Sequence, residues 1–314
     1  MRPGVSSRAG PQRRRKEHRQ PTVVAPALPT PRASDFLALT KPRIVLLVLL
    51  TAAVGFYVAA PAGTAAILLL HTLIGTALVA GGTGALNQVA ESEVDGRMRR
   101  TERRPIPAGR LDRRVGAVYA AALGVAGTVY LARFVNPMTA LLAALTLLSY
   151  ILLYTPLKRR TSLNTLVGAV PGALPILGGW TATGAALGAP AWALFWIMFL
   201  WQLPHFLALA WLYREDYGRA GLRMLSVEDP DGRLTFGQAL LYATALLPTS
   251  LLPSVFGLAG PWYFVGALAL GIWFAGTGLA AARRPTTARA RRLFLVSIAY
   301  LPALLGLLAL DKTL

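Results

Sequence analysis

The amino-acid sequence predicts an all-α, polytopic membrane protein with nine transmembrane helices. Three observations carry that reading. Of the 314 residues, 55% are apolar and only 14% are charged, and the mean hydropathy is positive, which is too apolar for an ordinary soluble domain. The charges fall in blocks between long runs that contain no Asp, Glu, Lys or Arg. When nine spans are drawn through those runs, Lys and Arg divide 30 to 2 between the two sides, the asymmetry that orients membrane proteins.

A span needs about 20 residues. The run 44–86 has room for two spans, 115–132 for one, 134–157 for one, 161–213 for two, 234–282 for two and 293–310 for one. Pro61-Ala62-Gly63, Gly184 to Pro190 and Gly257 to Pro261 are the expected turns inside the longer runs. One side then carries every Lys and Arg except Arg133 and Lys312. This places the N-terminus in the cytoplasm and the C-terminus outside. The net charge of +19 therefore belongs to cytoplasmic loops of a plasma-membrane protein and not to a nucleic-acid-binding face. The absence of cysteine excludes disulfides and thiolate chemistry.

In chain order, residues 1–34 are rich in Arg, Pro and Ala without apolar periodicity, and are expected to form a disordered basic cytoplasmic tail. Residues 35–314 form the membrane domain. Ser34-Asp35-Phe36 is a candidate cap for a short interfacial segment, and Thr40-Lys41-Pro42-Arg43 leads into the first span. The second span is rich in Gly and contains His71, read as a structural histidine. Span four ends in a basic cluster, Lys158-Arg159-Arg160. Span five carries Pro171, Pro175 and several glycines, which predicts a bent or interrupted helix lining a cavity. Span six carries Gln202 and His205, polar groups that must face the bundle interior, and ends at Glu215 and Asp216. Spans seven to nine carry almost no ionisable chemistry.

The stretch that concentrates chemistry is 87–110. If the second helix continues through it, Asn87, Glu91 and Asp95, at i, i+4 and i+8, lie on one face. Three oxygen-bearing side chains on one face suit a hard cation such as Mg²⁺, which takes remaining ligands from water and phosphate. Arg97, Arg99, Arg100, Arg103 and Arg104 follow directly, and guanidinium groups clamp phosphate oxygens. The competing reading is an aqueous helix end that obeys the positive-inside rule.

The Asn87–Glu91–Asp95 spacing, Met98, Arg100-Thr101 and Arg104-Pro105 resemble the first motif of the UbiA-type intramembrane prenyltransferases. The NQ…RT..RP run, YTPLKRRTSLNTLVGAVPGALPILGGW, PHFLALAW and YREDYGRAGLRML together resemble the protohaem IX farnesyltransferase (haem O synthase) branch, over roughly residues 35–310. The resemblance implies nine helices around a central cavity, Mg²⁺, and farnesyl diphosphate and haem B as substrates in the bilayer. Haem O would then serve a haem A synthase or a terminal oxidase in assembly. Carried over, Asn87, Glu91 and Asp95 hold Mg²⁺. Asp216, with Glu215 nearby, belongs to a second metal site, and Arg100, Arg104, Lys158 and Arg159 bind diphosphate. His205 is the candidate haem contact. The broader family often has Asp at the position of Glu91 and a second acid where Ala220 stands. Two alternatives stay open: a quinone precursor or other aromatic ring as acceptor, and an ion-coupled transporter whose carboxylates relay ions.

Overall fold

The computed structural model describes Gly4 and residues 31–313. Most of the basic tail lies outside the described residues. Its last residues, Ala33 and Ser34, already belong to a short helix, Ala33–Leu39. Asp35 sits in the first turn of that helix. It accepts a hydrogen bond from Arg32 N at 3.2 Å and pairs with Arg110 Nε at 2.9 Å.

Nine long helices follow among the described residues: α1 (Pro42–Ala59), α2 (Ala66–Ala90), α3 (Arg113–Phe134), α4 (Pro137–Leu157), α5 (Asn164–Ala182), α6 (Ala189–Leu212), α7 (Arg233–Val255), α8 (Pro261–Arg283) and α9 (Thr287–Leu310). Eight are long and apolar enough to cross a membrane. The other, α7, has the length, but Gln238, Thr244, Thr249, Ser250 and two prolines dilute its apolar content. It packs between α6 and α8 like its neighbours. The expected turns fall at helix breaks, and each contains a glycine with φ near +85°, +84° or +69° (Gly63, Gly184 and Gly257), a backbone region glycine enters without strain. Helix α5 runs uninterrupted through Pro171 and Pro175, so the expected break in it is absent.

Lipid gives helices no hydrophobic reason to associate, so close packing and interhelical hydrogen bonds must hold the bundle. The glycines supply the close packing. A Cβ at Gly82 would lie 2.6 Å from Gly124 N, and one at Gly127 would lie 2.7 Å from Val79 N, which fixes α2 against α3. A Cβ at Gly179 would collide with the Ala52 carbonyl, which fixes α5 against α1. The largest core joins α5 to α9 and includes the buried rings of Phe236, Tyr263, Phe274 and Tyr300. Leu46, Val118, Val125, Leu152, Leu241 and Val265 point outward, as lipid-facing side chains do. His71 accords with a structural role, since its Nδ1 lies 2.7 Å from the Tyr130 hydroxyl and its ring stacks on Phe134.

At the end opposite the basic loops, Lys312 closes the ring. Its Nζ donates to the Tyr57 and Ala60 carbonyls at 2.7 and 2.8 Å, at the end of α1. Asp311 accepts from Tyr263 N at 2.7 Å, at the start of α8.

Candidate active site

Helix α2 ends at Ala90, and a short helix, Ser92–Asp95, follows. Two backbone bonds carry the ladder across the join: Glu91 N to Asn87 O at 2.9 Å and Asp95 N to Glu91 O at 2.8 Å. Asn87, Glu91 and Asp95 therefore share a face although the helix is interrupted. Each meets one cation. Lys41 Nζ donates to Asn87 Oδ1 at 2.7 Å, Lys158 Nζ lies 2.7 Å from Glu91 Oε1, and Arg104 Nη1 donates to Asp95 Oδ2 at 2.6 Å. The result is a cage of alternating oxygens and cations at the basic end of the bundle, with Asn87 and Asp95 buried and the other members half-buried.

Neighbouring elements position each member. Thr101 is buried and donates its hydroxyl to Asp95 O at 2.8 Å, which folds the loop so that Arg104 returns to Asp95. Gln88 Nε2 donates to the Ala38 and Leu39 carbonyls at 3.0 and 2.9 Å. Thr40 passes directly over Gly84, bringing Lys41 over the triad. Lys41 is the only described non-glycine residue with positive φ, at 54°. Such strain of about 1–3 kcal/mol collects at functional sites. Lys158 leaves a π-helical stretch, Ser149–Tyr154, and its Nζ lies 4.4 Å from the centre of the Tyr154 ring. Arg223 N donates to Lys158 O at 2.8 Å, and Asn164 Nδ2 holds Arg223 O at 2.8 Å.

Burial sets the electrostatics. It lowers the pKa of Lys41 to about 7, helped by Arg104 and Lys158. It raises the pKa of Asp95 above the usual carboxylate value, against the opposing pull of Arg104.

The remaining predicted residues stand apart from the cage. Arg100 lies over the Tyr213 ring at 4.7 Å and reaches the Tyr217 hydroxyl at 3.4 Å. Arg159 is exposed, as is Glu215. Asp216 pairs with Arg219. An apolar cluster of Val94, Met98, Ala210, Ala220, Leu222 and Met224 clamps the two acidic segments to the same end of the bundle. Ala220 is therefore a packing residue, and a carboxylate there would be buried among apolar groups. His205 lies farther along α6, with Nδ1 2.7 Å from Ser297 Oγ. Among the described residues no group of three or more His, Asp or Glu side chains converges to hold a metal. A metal at the triad would take Asn87 as well as the two carboxylates.

Lys41 is the member of the cage that sequence reasoning missed. Its only local signal is a lysine before proline, and its partner is 46 residues away.

The model of the UbiA prenyltransferase family matches residues 48–301. The chain belongs to this family. A protoheme IX farnesyltransferase from Solibacter usitatus (strain Ellin6076) is 46% identical over 287 residues, covering 88% of this chain and 98% of the relative. One from Salinibacter ruber is 47% identical over 282 residues, with the same shares covered. Among solved structures, the chain superposes on one concerning digeranylgeranylglyceryl phosphate synthase in membranes (TM-score 0.75, 16% identity, 88% of this chain and 97% of that one). It also superposes on a UbiA homologue from Archaeoglobus fulgidus bound to DMAPP and Mg²⁺ (TM-score 0.64, 16% identity, 88% and 99%). The family likeness brings the fold and a multi-pass membrane setting together. In the cage itself Asp95 Oδ1 is buried without a hydrogen-bond partner, and an all-oxygen donor set suits a hard cation.

Proposed function

We propose that the chain transfers a farnesyl group from farnesyl diphosphate to a vinyl group of haem B, with addition of water, to give haem O and diphosphate. The observation that carries this is the cage: three cations held at oxygen ligands, in a chain whose relatives, matched over 98% of their length, are named protoheme IX farnesyltransferase.

Lys41, Arg104 and Lys158 bind the diphosphate oxygens, turning from their present partners towards the leaving group. Arg100 and Arg159 meet the same anion from the rim. Asn87, Glu91 and Asp95, with Asp216 and Glu215 at a second position, would hold Mg²⁺, which when bound would supply positive charge to the departing diphosphate. The charge of these side chains counts most at the ionising carbon–oxygen bond, because little water is there to screen it. The bundle excludes water from the allylic cation, and the Tyr154 ring beside Lys158 offers it a π face. The vinyl carbon attacks to form the new carbon–carbon bond. Water then adds to the adjacent carbon and a proton is released, so no strong general base is needed. Haem O made in the plasma membrane would pass to a haem A synthase or an assembling terminal oxidase. The basic loops, including Lys158 and Arg104, face the cytoplasm.

The test is a product assay on purified protein in lipid with haem B, farnesyl diphosphate and Mg²⁺. A porphyrin heavier by one farnesyl and one water, absent with Asp95→Ala and with Asp216→Ala, is expected. Diphosphate release with unchanged haem would reject haem as the acceptor, and a gradient-driven flux with no covalent product would replace the enzyme by a transporter.

A further inference from the structure

We propose that the outer groove between the basic ends of α6 and α9 binds the headgroup of an anionic phospholipid, with Arg291 on the phosphate and the acyl chains lying along the two helices towards the membrane interior. No residue of the cage takes part, so the site is independent of which acceptor the enzyme uses.

The groove begins as a cavity of about 470 Å³ lined by Leu212, Tyr213, Thr287, Ala288 and Arg291, within the size range of small-molecule sites. It lies where α6 ends at Leu212 and α9 starts at Thr287. Its walls are fixed deeper in the same seam, where Trp201 Nε1 donates to Ser297 O at 2.8 Å. Tyr213 and Thr287 bring hydroxyl groups to the lining, and Arg291 brings the charge.

Arg291 is exposed and makes no ion pair among the described residues. Arg104, Arg110, Arg219 and Arg223 each have a carboxylate instead. The reason lies in the sequence: residues 232–310 contain six arginines and neither Asp nor Glu. Glu215 and Asp216 follow Tyr213, but neither lines the cavity, and Asp216 is held by Arg219. Arg283, Arg284 and Arg292, all exposed, strengthen the positive field around the groove. A headgroup that also carries an ammonium would bring a cation to a lining without a carboxylate, so the groove favours a net negative one.

The surface beyond the cavity selects a lipid over a soluble anion. On α9, Arg291, Leu295 and Ile298 stand at i, i+4 and i+7 and share one face. Leu295 and Ile298 are 56% and 46% exposed. On α6, Phe206 precedes Tyr213 by seven residues, and both are exposed. Each helix therefore presents a polar group at the end of the bundle and an apolar one about 10 Å further in, at 1.5 Å per residue. That is the order of groups along a phospholipid, and an inorganic phosphate would use only the first.

The experiment is native mass spectrometry of the full chain released from micelles that hold equal amounts of phosphatidylglycerol and phosphatidylethanolamine. The wild-type protein should retain phosphatidylglycerol preferentially. Arg291→Gln should lower that retention about fivefold and leave phosphatidylethanolamine unchanged, whereas Arg291→Lys should keep most of the preference. Arg284→Gln removes the same charge from the same loop but lies outside the cavity lining, and should behave as the wild type. Equal losses in Arg291→Gln and Arg284→Gln would reduce the effect to general surface charge and overturn the site, as would a wild-type protein with no preference. Displacement of the lipid by millimolar inorganic phosphate would replace the lipid site by one for a soluble anion.

Discussion

Lys41 combines a left-handed backbone, a half-buried side chain whose ammonium lies 2.7 Å from Asn87 Oδ1 and a pKa lowered to about 7. Below pH 7 the ammonium is charged in the folded and unfolded chains alike, and its burial penalty is fully present. Between about 7 and the ordinary 10.5 the folded chain binds fewer protons, so this residue makes stability rise with pH across that window. Substrate binding needs the charged form and responds oppositely. The KM for farnesyl diphosphate should rise with pH above about 7, and Lys41→Arg should flatten the profile. A flat wild-type profile would remove Lys41 from the diphosphate site. Asp95→Asn should lower kcat/KM by about 10²–10³-fold with folded yield unchanged. Glu93→Gln should have no effect, because Glu93 is exposed and only loosely paired with Arg113. Steady-state kinetics on both variants check this. The triad itself was legible in the sequence because i, i+4 spacing is a local property. Its partners were not, because Lys41–Asn87 and Lys158–Glu91 join residues far apart in the chain. Arg100 was assigned to diphosphate from its motif, and its stacking on Tyr213 could not have been read from its neighbours.

At the scale of the element, the α1–α5 crossing depends on missing methyl groups, at Gly55 against the Ile176 carbonyl and at Gly179. A Cβ at Gly179 would meet the Ala52 carbonyl, a backbone atom that cannot rotate away, whereas a Cβ at the adjacent Gly178 would meet nothing within 4 Å. Gly179→Ala should destabilise the bundle by about 1–3 kcal/mol, and Gly178→Ala should be near neutral. Thermal unfolding of the two variants in lipid provides the comparison, and equal melting temperatures would contradict this packing. Helix positions and turns were legible because a charge-free run of known length leaves few ways to cross a bilayer. Two features were not. The join after Ala90 lies where no proline or glycine marks it. The unbroken passage of α5 through two prolines depends on neighbours that the local sequence does not name.

For the whole molecule, the division of Lys and Arg predicts which loops face which compartment. The chain contains no cysteine, so single cysteines can report this directly. Gly184→Cys should react with a membrane-impermeant maleimide on intact cells, and Gly109→Cys only after permeabilisation. The reverse pattern would invert the topology. The bundle is closed by Lys312, whose contact with Tyr57 spans 255 residues. Helix α1 is among the first segments to leave the ribosome, and the carbonyls at its end wait for a lysine that emerges only after all nine helices have been made. Until then the far ends of α1 and α9 lack this tie, so that end of the bundle is completed as a late event of membrane insertion, and a nascent chain halted before that lysine would carry every residue of the triad while the opposite end of its bundle stayed unfastened.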